Sequence, residues 1–148
     1  MKKFSFSLQK LLDYKEQLFD AERRALADMR AALARMEQER EDMSAERATR
    51  TADFCQKAAR GIPAVEVETH KNYLTMLDFS IRQKNQQIEL QNQAIDKQAD
   101  KVREAKLEIS TIEKLRERKL EEYNYAASKE EELFIEEFVT NTKAVKAG

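Results

Sequence analysis

Turn-forming residues are almost missing from this 148-residue chain, which has two glycines and one proline. Folds built of many short elements draw on Gly and Pro at each turn, so a multi-stranded sheet or a many-helix globule is excluded. The one available break is Gly61-Ile62-Pro63, because the other glycine, Gly148, stands at the chain end. Phosphate-cradling loops need several glycines close together, so P-loop and dinucleotide-binding chemistry go too. A single cysteine, Cys55, has no partner for an internal disulfide. Thiols stay reduced in the cytosol, where the chain is expected, and Cys55 is expected to pack as a small apolar residue. An excess of either charge is also lacking: 27 Lys and Arg face 28 Asp and Glu. Nothing draws the chain generally towards nucleic acid or an anionic membrane. No apolar run is long enough to span a bilayer. The opening Met1-Lys2-Lys3 is not followed by the apolar segment of a secretory signal, since Gln9, Lys10 and Asp13 interrupt it.

What is present is periodicity. Apolar residues recur at every seventh position through Leu74, Ile81, Ile88, Ile95, Val102 and Ile109, a heptad seam. Their companions three residues on are Leu77, Lys84, Gln91, Gln98, Ala105 and Ile112, so half of the seam is largely polar. Before the break a second stripe runs at threes and fours through Leu8, Leu11, Leu12, Leu18, Phe19, Ala25, Leu26, Met29, Leu33, Met36 and Met43. The reading is all-α: an antiparallel two-helix coiled-coil hairpin over residues 1–148. Its first helix runs over about 5–58, its turn over about 59–63 and its longer second helix over about 64–140.

Register can be tested on this pattern. If the chain reverses near residue 62, facing residues have numbers adding to about 124. Met29 then faces Ile95, Met36 faces Ile88 and Met43 faces Ile81, three apolar layers from one assumed turn. At 1.5 Å per residue the arms are about 75 and about 115 Å long. Everything beyond Glu121 is therefore expected to lack a partner from the first helix. That overhang carries Tyr123, Tyr125, Leu133, Phe134, Ile135, Phe138 and Val139, with Phe4 and Phe6 nearby at the amino end. Apolar surface left in water is a place for another protein to bury; a folded-back tail or a frayed helix is the alternative. Lys15, Glu22, Arg50, Gln91 and Gln98 within the seam restrict register while weakening the pairing. A single narrow seam set against the entropy of ordering each residue makes for marginal stability alone.

The candidates for chemistry are few. Glu66 and His70 share a helical face, but two ligands make a poor metal site and Val67 stands where a di-iron motif needs a carboxylate; His70 is expected as an exposed helical histidine. Cys55 has no base beside it, the only histidine lying across the predicted bend. No catalytic residue, metal or cofactor is expected. Lys114, Arg116, Arg118 and Lys119 are interleaved with Glu113, Glu117, Glu121 and Glu122, which makes a solvated face of helical ion pairs rather than a phosphate contact. The acidic run Glu130, Glu131, Glu132, Glu136 and Glu137 either steers a basic partner or is ordinary helix surface.

At the amino end the string Phe4-Ser5-Phe6-Ser7-Leu8-Gln9-Lys10-Leu11-Leu12-Asp13-Tyr14-Lys15-Glu16 resembles the opening of FliJ proteins, the small coiled-coil component of the flagellar type III export apparatus. Tyr73, Leu77 and Ile81 are similar to that family's aromatic-x-x-x-Leu-x-x-x-Ile step after the hairpin turn. Glu131 with Ile135-Glu136-Glu137-Phe138 is similar to its carboxy-terminal segment. Glu136 stands where the family has Asp. Glu46 and Arg50 replace first-helix aromatics that some relatives place opposite the post-turn step.

The resemblance implies a non-catalytic cytoplasmic stalk, peripherally associated with the membrane at the flagellar base. Its two ends would enter the hexameric export ATPase, and its turn-proximal part would reach the membrane export gate. Carried over, the ATPase-docking residues are Phe4, Phe6, Leu8, Leu12, Ile135, Glu136, Glu137 and Phe138, and the gate contacts are Tyr73 and Leu77. Export chaperones are implied as further partners. Nucleic acid and direct membrane insertion are not. An injectisome stalk of the same build and a generic cytoplasmic coiled-coil scaffold are the competing readings.

Overall fold

The computed structural model describes residues 2–147, so Met1 and Gly148 lie outside the described residues. Two helices follow the sequence periodicity, α1 over Gln9–Arg60 and the longer α2 over Ala64–Ala147, and they pair as an antiparallel hairpin with no strand among the described residues. Gly61 ends α1 with a φ of 88°, the left-handed value that glycine adopts without a Cβ penalty. Its N–H donates to the Ala58 carbonyl at 3.1 Å. Lys57 and Arg60 occupy the last turn of α1, where cations suit the helix dipole. Pro63 has no N–H to leave unpaired, and its carbonyl accepts from the amides of Glu66 and Val67 at 3.0 and 3.2 Å, opening α2 as a proline just ahead of a helix does.

The helix limits differ from the sequence reading at both outer ends. α1 begins at Gln9 rather than near residue 5. Ser5 and Ser7 alternate with Phe4 and Phe6, and serines compete with helical backbone through their hydroxyls. α2 continues past 140 to Ala147 because no glycine or proline interrupts it, and Thr142 bonds back to the Phe138 carbonyl at 2.8 Å.

The chain divides into two compact units, Ala21–Val102 and Met1–Asp20 with Arg103–Gly148. In the first, Leu26, Leu77, Ile88 and Ile95 are buried. The polar half of the seam is satisfied across the pair. Gln98, only 8% exposed, donates its amide to the Glu22 carbonyl at 2.9 Å and also meets the Glu22 carboxylate. One heptad earlier Gln91 donates to the Met29 carbonyl at 2.9 Å, and one heptad before that Lys84 pairs with Glu39 at 2.6 Å. Residue numbers add to 120 in both glutamine contacts, to 123 for Lys84 with Glu39, and to 125 for Arg40 with Asn85. These values bracket the sequence expectation, so the three-residue break sets the register. Among the described residues no buried side-chain polar atom lacks a partner, which is what makes a polar seam tolerable.

In the second unit the core is Phe6, Leu12 and Ile109, the last only 2% exposed. Lys15 pairs with Glu108 at 2.7 Å, Arg116 donates to Gln9 at 3.3 Å, and the Lys106 ammonium lies 5.4 Å from the Phe19 ring centre.

Candidate functional site

The family resemblance singles out two groups of residues, one in each unit. The first begins with the non-helical stretch before α1. Phe6 is buried, while Phe4 and Leu8 are half-buried. The Phe4 ring meets Tyr123 with centroids 5.6 Å apart, and the Arg116 guanidinium sits 5.6 Å from the same ring. The Tyr123 hydroxyl donates to the Lys2 carbonyl. Tyr123 is therefore not part of a free overhang, as the sequence reading had it. A non-helical residue advances by as much as about 3.3 Å against 1.5 Å in a helix, so Phe4 reaches Tyr123 rather than residue 120. Of the four amino-terminal docking candidates, Phe6 and Leu12 are core residues of their own unit.

The carboxy-terminal candidates lie differently. Residues 128–141 are exposed without exception. Ile135 is 53% and Phe138 65% exposed, beside Leu133, Phe134 and Val139. Glu136 and Glu137 are exposed between them. Glu132 takes Lys129 at 3.3 Å, and Lys129 also lies 5.7 Å from the Tyr125 ring. A shallow groove is lined by Ala127, Glu130, Glu131, Leu133, Phe134 and Glu137, and a more apolar one by Phe138, Asn141, Thr142, Val145 and Lys146. The surface presents apolar side chains among carboxylates.

The second group lies in the Ala21–Val102 unit. Leu77 is only 5% exposed, a core residue. Tyr73 is half-buried and held by α1: its hydroxyl donates to the Glu46 carboxylate, and the Arg50 guanidinium lies 4.8 Å from its ring centre. The bond to Glu46 pushes the phenol above its ordinary pKa because the carboxylate accepts from the protonated form. The two residues that replace the aromatics of some relatives are thus the ones that clasp Tyr73. Nearby, Arg47 forms a two-point pair with Asp78, which holds the Asp78 carboxyl below its usual range, first through the hydrogen bond. Exposed apolar residues close to Tyr73 and Leu77 include Met76 and Phe79. They sit on the outer face of α2, which seam-based reasoning passes over because they fall outside the heptad positions.

Two minor expectations are corrected. Cys55 is exposed rather than packed, because position 55 points away from the seam. His70 is half-buried, its ring 5.4 Å from that of Phe54, since the register brings the two face to face. Among the described residues no three His, Cys, Asp or Glu side chains gather as metal ligands, and no helix is long and apolar enough to cross a membrane.

A family model described as the flagellar FliJ protein matches residues 4–147. No curated protein and no solved structure matches the chain.

Proposed function

The chain belongs to the FliJ family and is thereby a component of the flagellar export apparatus; from that premise we propose that it is a non-catalytic stalk docking in the hexameric export ATPase. The observation that carries this is the exposed apolar set Leu133, Phe134, Ile135, Phe138 and Val139, whose burial in a partner is the largest favourable term available to this end. Ile135 and Phe138 insert, while Glu136 and Glu137 beside them set orientation. Phe6 and Leu12 act indirectly, holding the amino-terminal segment against α2 where Phe4 and Leu8 remain partly accessible. A chain that binds only the assembled ring stabilises it by mass action, and the ATP chemistry belongs to the ring.

The turn-proximal part faces the membrane export gate in this reading. Tyr73 is the accessible gate residue, and Leu77 supports it from the core. Export chaperones are escorted by the same protein, which works in the cytoplasm at the flagellar base. The test is turnover of the purified hexameric export ATPase with the full chain added. Stimulation by the natural chain and its loss with Phe138→Ala is the expected result. No stimulation at any chain concentration overturns docking and leaves the scaffold reading. Stimulation of an injectisome ATPase in place of the flagellar one points to the injectisome stalk.

A further inference from the structure

Within the Ala21–Val102 unit, the exposed large apolar side chains of α2 are Val65, Met76, Phe79 and Leu90. At about 100° per residue these four fall within about 60° of arc, along a line that also passes through Gln83. The seam residues Leu77, Ile88 and Ile95 stand about 120–140° away round the helix, so the line is turned away from α1. From residue 69 to residue 94 the half of α2 centred on this line carries no charge, in a chain 37% charged. The nearest charges in that range, Arg82 and Lys84, lie about 100° to either side, where they face Asp78 and Glu39 respectively. Opposite charges close the two ends of the face, Glu68 at the first and Lys97 with Lys101 at the last. Glu68 and Lys97 stand on the same side of the line, about 60° and about 40° from it. Both are exposed, and neither has an ion-pair partner among the described residues.

We infer that this face pairs with the same face of a second copy of this chain, antiparallel and centred on Gln83. A two-fold pairing of antiparallel helices brings like sides together. Setting Met76 of one copy level with Leu90 of the other also sets Phe79 level with Gln87, Asn72 level with Ala94, and Glu68 within one residue of Lys97 on the shared side. The apolar match and the charge match therefore fall in one register. Lys101 crosses Val65 there, its stem on the apolar side chain and its ammonium near Glu68. Parallel pairing would oppose Glu68 to Glu68 and Lys97 to Lys97, a repulsive arrangement at both ends. The overlap from Val65 to Lys101 runs for about 55 Å of helix, but its apolar core is only four side chains per copy, so the association is reversible and at the low end for specific complexes. The face uses none of the residues assigned above to ATPase docking.

Sedimentation equilibrium of the full chain alone, from about 1 to about 300 μM as suits a small interface, is expected to show monomer passing to dimer. Phe79→Lys is expected to stay monomeric. Glu68→Lys and Lys97→Glu should each weaken the dimer about tenfold, as reversal of two exposed pairs does, and the chain carrying both should recover the natural affinity. Orientation is read by oxidative cross-linking of single cysteines in a Cys55→Ser background. Gln83→Cys, on the two-fold axis, should form a disulfide dimer, and Met76→Cys, about 21 Å from its counterpart, should not. Circular dichroism melts show whether the hairpin is intact, and Leu90→Lys replaces Phe79→Lys if the latter melts early. A natural chain monomeric throughout, an apolar-to-lysine variant that dimerises undiminished, a double reversal no better than the singles, or Met76→Cys cross-linking as readily as Gln83→Cys each overturns the inference. Failure here leaves ATPase stimulation untouched, and failure of stimulation leaves this result standing.

Discussion

Replacing Ile109 by alanine separates residues that hold the hairpin from residues that only decorate α2. Ile109 is 2% exposed, the least exposed of the core residues, and lies in the unit formed by Met1–Asp20 with Arg103–Gly148. Burying and then deleting such a side chain costs about 2–5 kcal/mol in well-packed cores. A two-helix seam is flanked by solvent and can relax into the space, so the lower half of that range applies, about 2–3 kcal/mol. For a chain of this length each kcal/mol moves the melting temperature by roughly 2–4 °C, which puts the expected drop at roughly 5–10 °C. The control is Ile135→Ala, the same chemical deletion at a site 53% exposed, expected to change the melting temperature by less than about 2 °C. Far-UV circular dichroism melts read both. Native-state hydrogen exchange adds a spatial readout: amides of residues 9–20 and 103–120 should lose protection more than those of 21–102. Equal melting shifts for the two variants, or protection lost uniformly, would refute the pairing on which the rest depends.

Three other predictions follow from the same geometry. Gly61→Ala forces a Cβ into a φ of 88° although nothing lies within 4 Å of it; the expected loss of about 1 kcal/mol in urea unfolding comes from backbone strain alone, and Gly61→Asn should lose less. Asp78 is held below its usual range by Arg47, so its contribution is present above the unfolded value and lost as pH falls through the lower folded one. Asp78→Asn should lower stability slightly at neutral pH and leave it unchanged well below about pH 4, so that the acid limb of the stability profile is flatter, and an unchanged acid limb would refute the pair. Gln98→Ala removes an amide that satisfies the Glu22 carbonyl and should destabilise by about 1–2 kcal/mol. Gln98→Leu should recover most of that by filling the seam, and a leucine variant weaker than the alanine one contradicts this account.

The heptad spacing of Leu74 through Ile109, the single Gly-Ile-Pro break and the match of facing layers were enough to obtain an antiparallel hairpin, because a periodic apolar stripe and one reversal admit few other solutions. The observed contacts of Gln91, Gln98 and Lys84 fall in that register. The exposed apolar end of α2 was legible for the same reason: arm lengths are set by residue count and helical rise. Other features were not legible. Phe6, read only as a surface partner, is core, and Leu12, read both in the first-helix stripe and as a docking residue, takes the core place, since a motif names residues without saying which face they take. The clasp of Tyr73 by Glu46 and Arg50 joins residues 27 and 23 positions apart, and only the packed pair of helices decides which rotamers meet. Cys55 and His70 exchanged their expected environments because, next to the turn, a rotation of one residue about the helix axis moves a side chain between seam and solvent.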